Sequence, residues 1–292
     1  MDGLIVKGVG GFYYVIDEGG RTHTLRAQGK LRRQRITPLV GDRVSFEAGE
    51  GEAHGWLNAV RERKNSLIRP PVANIDRLVI TLAAVKPSPD LLLADRLLML
   101  CRLSGIEPVL AINKRDQDGR AAEELAAEYA GAGAHIAMVS AEDGGGVDEL
   151  RALLRGTVHA FGGQSGVGKS TLINALYGLT LSTGDLSDKT ERGKHTTRHT
   201  ELIAVEGGGM VLDTPGFSLL ELDLAPPLTL KDLYPEFAPY EGLCRFSPCA
   251  HVEEPDCAVC RAAREGLIAR ARYERYAELY ETMNERWRER YD

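Results

Sequence analysis

Between an apolar strand pattern and a helical pattern, the chain reads Gly163-Gln164-Ser165-Gly166-Val167-Gly168-Lys169-Ser170. This segment matches the phosphate-loop consensus G-x-x-x-x-G-K-[ST] in the strand-to-helix context that the consensus requires. Its glycines let successive backbone N–H groups face phosphate oxygens, and the helix N-terminus adds a partial positive charge. Lys169 is expected to reach the β- and γ-phosphates, and Ser170 to ligate Mg²⁺. We therefore predict that the segment through Thr171 binds a nucleoside triphosphate.

Strand and helix patterns alternate on both sides of this loop. Short apolar runs predict strands at residues 78–85, 109–113, 135–140, 157–162, 201–205 and 210–213. Helical periodicity predicts helices at residues 89–103, 120–130, 147–154 and 168–177. Strands that alternate with helices indicate a mostly parallel sheet covered on both faces, which is the α/β architecture of a P-loop domain.

A base-reading motif follows the strand pattern at 109–113. Asn113-Lys114-Arg115-Asp116 matches N-K-x-D. Guanine presents N1–H and N2–H₂ as adjacent donors, and one carboxylate accepts both. Adenine lacks the pair, so a buried Asp beside it would stay unpaired at a cost of about 1–3 kcal/mol. Asp116 is therefore predicted to select guanine, Lys114 to lie over the base, and Asn113 to tie this loop to the phosphate loop.

A second polar pair ends the next strand pattern. Ser140-Ala141 fits the loop that gives a backbone N–H to guanine O6. Alone, N-K-x-D is equally typical of a polar helix start, and its place one βαβ unit before Ser140 favours the guanine-reading interpretation. Both loops precede the phosphate loop, which reverses the usual order. A doubly wound sheet tolerates such a circular permutation when its original termini are joined.

Two candidate switch segments come after the phosphate loop. Asp213-Thr214-Pro215-Gly216 matches D-x-x-G, although the same residues also make a good plain turn. Asp213 is predicted to hold Mg²⁺ through water, and the Gly216 N–H to sense the γ-phosphate. Phe217 follows, where a Ras-like protein has a water-orienting Gln, so intrinsic hydrolysis is expected to be slow or to use another group.

The polar segment 182–199 contains the other switch candidate. Thr196 and Thr197 can each supply a Mg²⁺-sensing hydroxyl, and the sequence alone does not choose between them. His195, in the same segment, is the polar side chain that we expect to act in GTP hydrolysis. An ordinary solvated loop is the alternative interpretation of this segment.

A metal-binding pattern lies near the C-terminus. Cys244-x₄-Cys249-x-His251-x₅-Cys257 supplies three thiolates and an imidazole, a standard set for structural Zn²⁺. Cys260 is a fifth candidate in the same stretch. Four of the five cysteines lie here, which indicates a metal site in a reducing compartment rather than a disulfide framework.

The regions before and after the predicted α/β domain have different sequence patterns. Residues 1–68 show short strand patterns separated by glycine-rich turns, which predict an OB-fold β-barrel, and Arg69-Pro70-Pro71 is interpreted as a linker. The GTP-binding domain is placed at 69–221. Residues 222–292 are assigned to a mostly α-helical zinc-binding domain with a charged helical tail at 262–290.

Composition limits the function classes. The net charge of −6 argues against a general nucleic-acid coat, but it leaves local basic patches possible. There are two such patches. The first is a loop-like stretch of the barrel with Lys30, Arg32, Arg33 and Arg35, and the second is a later cluster of Arg61, Arg63 and Lys64. Apolar runs are too short or too charged to span a bilayer, and no signal peptide opens the chain, so we expect a cytoplasmic protein without membrane contact. Nothing indicates an oligomer.

The permuted motif order, the N-terminal barrel and the Cys/His cluster together resemble one family, the circularly permuted small-ribosomal-subunit biogenesis GTPases (RsgA, also called YjeQ). The resemblance covers nearly the whole chain, including Asn74-Ile75-Asp76. It implies a bacterial factor that binds the 30S subunit and its rRNA late in maturation and whose GTPase the subunit stimulates. It also implies one Zn²⁺ on Cys244, Cys249, His251 and Cys257, and a hydrolytic role for His195.

Two other functional interpretations are compatible with the sequence. The chain could instead be an RNA-binding module, stabilised by zinc, that uses GTP binding as a switch with negligible hydrolysis. This alternative is compatible with Phe217, which stands in place of the water-orienting Gln. An ATP-using kinase or transporter subunit would share the phosphate loop, but Asp116 argues against it.

Overall fold

A computed structural model describes residues 1–49, 53–181, 200–213 and 226–289. Its strands are β1 (Asp2–Val9), β2 (Phe12–Asp17), β3 (Thr22–Ala27), β4 (Arg43–Glu47), β5 (Gly55–Val60), β6 (Ser66–Leu67), β7 (Val72–Ala73), β8 (Arg77–Ala83), β9 (Glu107–Asn113), β10 (His135–Met138), β11 (Val158–Gly162), β12 (Glu201–Val205) and β13 (Gly209–Asp213). Its helices are α1 (Gly29–Arg33), α2 (Leu91–Ser104), α3 (Gly119–Glu128), α4 (Val147–Leu154), α5 (Lys169–Tyr177), α6 (Ala258–Arg264) and α7 (Arg270–Arg288), with 3₁₀ helices at Pro227–Leu233 and Pro235–Tyr240.

The N-terminal strands close into a barrel. They are ordered β1-β2-β3-β5-β4, and β4 pairs back onto β1. The β3–β5 pairing is parallel and the other barrel pairings are antiparallel. Alternate residues of each strand point inward, and Ile5, Val15, Leu25 and Leu57 have no exposed surface. The predicted OB-like barrel is confirmed.

The central sheet is the predicted P-loop architecture. Strands β10, β9, β8, β11 and β13 run parallel in that order, and β12 joins β13 antiparallel. β8 is buried on both faces from Leu78 to Ala83, as expected for a strand that helices cover on both sides. β12 also pairs with β1 through Glu201 and Lys7, whose side chains form a 2.5 Å ion pair. The barrel and the nucleotide-binding sheet therefore form one continuous sheet.

A short hairpin and the side chains of Asn74 and Asp76 join the barrel to the sheet. β6 pairs with β7, so the Arg69-Pro70-Pro71 segment forms the turn of a hairpin. The Asn74 side chain donates to the Gly41 carbonyl (2.9 Å) and accepts the Lys64 N–H (2.8 Å). Asp76 accepts the N–H of Val158 at the start of β11, at 2.8 Å. Asn74-Ile75-Asp76 thus connects the barrel to the strand that leads into the phosphate loop.

The C-terminal region has its own core. The rings of Tyr234, Phe237 and Tyr276 contact one another at centroid distances of 4.8–5.2 Å. The tail predicted to be helical at 262–290 contains the end of α6 and all of α7, because the chain turns between Arg264 and Arg270. Gly266 has a φ of 76°, a left-handed conformation that ends a helix readily only at glycine.

No helix among the described residues combines the length and the apolar character needed to cross a bilayer.

Candidate nucleotide and metal sites

Four loops and the end of β13 lie at one edge of the central sheet. Because β8, β9, β10, β11 and β13 are parallel, their C-terminal ends lie along the same edge, where α/β proteins bind ligands. The phosphate loop follows β11, the Asn113 motif ends β9, and Ser140 follows β10. Residues 84–90 follow β8, and Asp213 ends β13. Four segments that are far apart in sequence therefore surround the phosphate loop.

Backbone geometry explains the glycines of this loop. Gly163 has a φ of 129°, and a β-carbon there would lie 2.3 Å from the Thr81 carbonyl oxygen. Gly168 has a φ of 93°, and its β-carbon would lie 2.5 Å from the Asn113 side-chain nitrogen. Both positions combine a left-handed backbone with a close approach, so only glycine fits without displacing a neighbour.

Lys169 directs its ammonium into the loop. It opens α5, and its Nζ donates to the carbonyl oxygens of Gly163 (2.9 Å) and Gln164 (2.7 Å). Ser170 and Thr171 follow in the first turn of α5. The positive charge and the helix N-terminus therefore face the concave side on which a phosphate would be held.

Asn113 is the residue that joins the three nucleotide loops. Its side chain is almost fully buried, with 2% of the residue exposed. The Asn113 Nδ2 donates to the Val167 carbonyl of the phosphate loop at 2.9 Å, and its Oδ1 accepts the Ala141 N–H at 3.1 Å. Truncating Asn113 would leave a buried carbonyl and a partly buried amide without their partner, so the three loops depend on one side chain for their relative positions.

The remaining N-K-R-D residues sit at the surface. Lys114 donates from its Nζ to the carbonyls of Lys86 (2.5 Å) and Gly166 (2.9 Å), which places its stem beside the phosphate loop. Arg115 donates to the Met138 carbonyl at 3.2 Å and thus contacts the end of β10. Asp116 is exposed, three residues after the buried Asn113.

The Ser140 loop is built by its own backbone. Ser140 is buried, and its N–H donates to the Gly145 carbonyl at 2.8 Å. Hydrogen bonds from the Gly145 N–H and the Ser140 side chain lower the pKa of Asp143 below its ordinary value. The sequence predicts that a backbone N–H of the Ser140-Ala141 loop faces guanine O6. In this structure the Ala141 N–H is donated to Asn113.

The switch candidates fall outside the described residues. These are His195, Thr196, Thr197, Gly216 and Phe217. Asp213 lies at the end of β13, and its side chain is also outside the described part.

The Cys/His residues converge on one point. The ligand atoms of Cys244, Cys249, His251 and Cys257 all lie within 4.8 Å of one another. The His251 Nδ1 is 3.5 Å from the Cys244 sulfur and 3.3 Å from the Cys257 sulfur, and the two sulfurs are 3.7 Å apart. Zinc bonds of about 2.0–2.3 Å at tetrahedral angles would separate ligand atoms by about 3.3–3.8 Å. The atoms of Cys244, His251 and Cys257 have this spacing, and Cys249 lies within 4.8 Å of each of them, so the set is compatible with Zn²⁺.

Two neighbours of the cluster refine this picture. The Cys260 sulfur lies 3.1 Å from the Tyr273 hydroxyl and 3.5 Å from the Val252 carbonyl, and it is not a member of the four-residue cluster. The Glu241 Oε1 lies 3.1 Å from the His251 Nε2. This contact leaves Nδ1 for a metal, the arrangement usual for a metal-bound histidine. Glu241 was missed from the sequence because it lies outside the Cys/His spacing.

Two protein-family models match most of the chain. The family model described as RsgA GTPase matches residues 60–223, and the RsgA N-terminal domain model matches residues 2–57. The chain belongs to the RsgA GTPase family. It is therefore a GTP hydrolase whose nucleotide-binding motifs are circularly permuted.

Relatives of this chain are similar to it over nearly their full lengths. A protein of Geobacillus kaustophilus named small ribosomal subunit biogenesis GTPase RsgA is 44% identical over 98% of both chains. A namesake from Caldanaerobacter subterraneus is 43% identical over 100% of this chain and 98% of that one. The crystal structure of YjeQ from Thermotoga maritima matches with a TM-score of 0.83 at 35% identity, covering 97% of this chain and 98% of that one. YloQ, described as a circularly permuted GTPase, matches with a TM-score of 0.79 at 34% identity, covering 98% and 95%.

Proposed function

We propose that this chain binds the 30S ribosomal subunit in the bacterial cytoplasm, as a monomer, and hydrolyses GTP to GDP and phosphate during late maturation of that subunit. The names of its relatives support the subunit as partner. The observation that carries the nucleotide assignment is Asn113, which joins the phosphate loop to both base-reading loops. In this proposal Asp116 reads guanine, and residues Gly163 to Thr171 hold the phosphates.

The hydrolytic step is assigned to residues around the γ-phosphate. Lys169 stabilises charge on the phosphate oxygens. Ser170 and Asp213 would hold Mg²⁺, which supplies further neutralisation of phosphate charge when bound. His195 positions or polarises the attacking water in place of the Gln of Ras-like proteins, and Thr196 or Thr197 responds to the metal and Gly216 to the γ-phosphate. These roles follow from the motifs and their order.

The decisive experiment is hydrolysis by the purified chain with and without 30S subunits. Slow turnover of GTP that rises at least about tenfold with subunits is expected, because Phe217 supplies no water-orienting side chain. ATP in a parallel reaction should be turned over negligibly. No rise with subunits would contradict the subunit as activator, and negligible turnover under both conditions would favour a GTP-occupancy switch. Equal use of ATP would overturn the role of Asp116.

The same assay tests His195. His195→Ala is expected to lower the subunit-stimulated rate by about 10²–10⁴-fold, the range for loss of a general acid–base or water-orienting group. Binding of a fluorescent GTP analogue should persist. A variant that retains the full stimulated rate would remove His195 from the hydrolytic step.

We also propose that the Cys/His cluster holds one structural Zn²⁺. Metal analysis of the purified chain should then give about one zinc per chain, and Cys257→Ser should reduce this to nearly none, with a lower melting temperature. Cys260→Ser is the matched control, because Cys260 contacts Tyr273 and lies outside the four-residue cluster. Equal zinc loss in both variants would contradict the proposed ligand set.

The basic residues of the barrel are proposed to contact rRNA. The stretch expected to be loop-like forms the short helix α1, anchored by buried Leu31, and its arginines are exposed. The second cluster is already paired within the barrel and its joint: Arg61 with Asp2, Arg63 with buried Asp42, and Lys64 with Asp76. Helix α1 is therefore the better candidate for phosphate contacts.

Replacing Arg32, Arg33 and Arg35 together by Gln should weaken 30S binding and reduce its dependence on salt. Each lost phosphate contact should lower the slope of log K against log[salt] by about 0.7–0.9. A triple replacement of exposed Arg120, Arg155 and Arg270 by Gln removes the same charge elsewhere and serves as the control. If both triple variants bind alike, α1 is not a contact surface.

A further inference from the structure

Helix α2 begins beside the phosphate loop. Asp90 is its N-cap, and the Asp90 carboxylate accepts the Leu93 N–H at 2.9 Å. The backbone N–H of Asp90 is donated to the side-chain oxygen of Gln164 at 3.1 Å. The carbonyl of Gln164 accepts the Lys169 ammonium at 2.7 Å. One phosphate-loop residue therefore contacts both the phosphate-binding lysine and the first turn of α2.

The same helix is fastened to the C-terminal domain. The side chain of Asp95 is ionisable, and it has no exposed surface. Its carboxylate accepts hydrogen bonds from Arg272 and, at 2.6 Å, from Arg275, both on α7. Asp95 is five residues beyond Asp90, which corresponds to about 7.5 Å along a helix. The anchor thus lies about one and a half turns from the contact with the phosphate loop.

The surroundings of the anchor make it rigid. Arg272 is 2% exposed, pairs also with Glu236, and lies over the rings of Tyr129 (5.1 Å) and Tyr234 (4.7 Å). Separating these groups would leave buried charges without partners, at a high energetic cost. This cost favours a joint displacement of α2 and α7 over their separation.

We propose that Gln164 and α2 transmit occupancy of the phosphate loop to the C-terminal domain. Gln164 is a positioning residue in this relay. The inference rests on the proposed nucleotide site. This relay through packed side chains is a second route beside the covalent connection at residues 214–225. That connection begins within the D-T-P-G motif and lies outside the described residues. Because coupling between sites is reciprocal, loosening the anchor should also change nucleotide affinity.

Amide hydrogen exchange of α7 tests the forward direction. The full chain is compared with and without a saturating non-hydrolysable GTP analogue, whose binding is titrated directly. Exchange within 270–288 should change at least about fivefold in the wild type, the lower end of allosteric coupling, and Gln164→Ala should abolish this response at saturation. No response in the wild type, or an undiminished response in Gln164→Ala, overturns the relay. The latter result would assign the signal to the connection at 214–225.

Nucleotide affinity tests the reverse direction without altering the phosphate loop. Arg275→Met, which removes one partner of Asp95, should change the dissociation constant of the same analogue at least about fivefold. Arg270→Met is the matched control on α7, since Arg270 is exposed and forms an ion pair with Glu274 on the same helix. Equal effects of the two variants overturn the proposal. No ribosomal subunit is present in either assay, so a failure here is independent of the proposed partner.

Discussion

Asp116→Asn should lower kcat/KM for GTP by at least about 100-fold, because a site built to pair with a donor pair discriminates strongly once that pairing is lost. The Asp116 carboxylate can accept both N1–H and N2–H₂ of guanine, whereas an asparagine offers one acceptor and one donor. Xanthine presents N1–H beside a carbonyl oxygen, which complements the asparagine amide. Steady-state hydrolysis of GTP and of xanthosine triphosphate by the same variant measures both effects.

A neighbouring residue provides the control for this exchange. Asp118 is also an exposed carboxylate, and it caps α3 by accepting the Ala121 N–H at 3.0 Å. Asp118→Asn makes the same change of charge two residues away and should leave GTP preferred over xanthosine triphosphate. If both variants keep that preference, Asp116 does not read the base.

Asp95→Ala should destabilise the docking of the C-terminal domain by about 3–5 kcal/mol. Removing one member of a buried charge cluster leaves the others desolvated and incompletely paired, which costs more than the pair itself contributes. Arg272 and Arg275 would both lose this carboxylate, and the Arg272 side chain is only 3% exposed. Urea unfolding can be followed by the fluorescence of Trp287 on α7 after Trp56→Phe removes the other tryptophan of the chain.

Exposed ion pairs supply the comparison for Asp95. Asp148 pairs with Arg151 on α4, and its side chain is 89% exposed. Asp148→Ala should change stability by less than about 0.5 kcal/mol, because water already solvates that carboxylate. A comparable loss in the two variants would show that the buried cluster is not what holds α7 against α2.

The chemistry of the site was readable from local sequence. A phosphate loop needs glycines at fixed offsets and a lysine at the start of a helix, so the whole device occupies consecutive residues from Gly163. The N-K-R-D motif and the Cys/His spacing are local for the same reason. Alternating strand and helix patterns also predicted the α/β sheet, because periodicity depends only on which face of each element is buried. The break at Gly266 was missed, since a single glycine in a charged helical pattern does not by itself predict a left-handed turn.

Only the tertiary structure shows which of these segments contact one another. The Asn113 motif predicts a polar side chain, but its simultaneous bonds to Val167 and Ala141 depend on three strands ending at one edge. Asp95 and Arg272 are 177 residues apart, and neither belongs to a motif. The assignment of Cys260 outside the four-residue cluster likewise required the positions of its neighbours. Sequence alone therefore identified the candidate groups for binding guanine nucleotide and metal, because such groups occur at fixed local spacings. Packing decided how the barrel, the nucleotide site and the C-terminal domain are connected, because distant residues meet only when the chain folds.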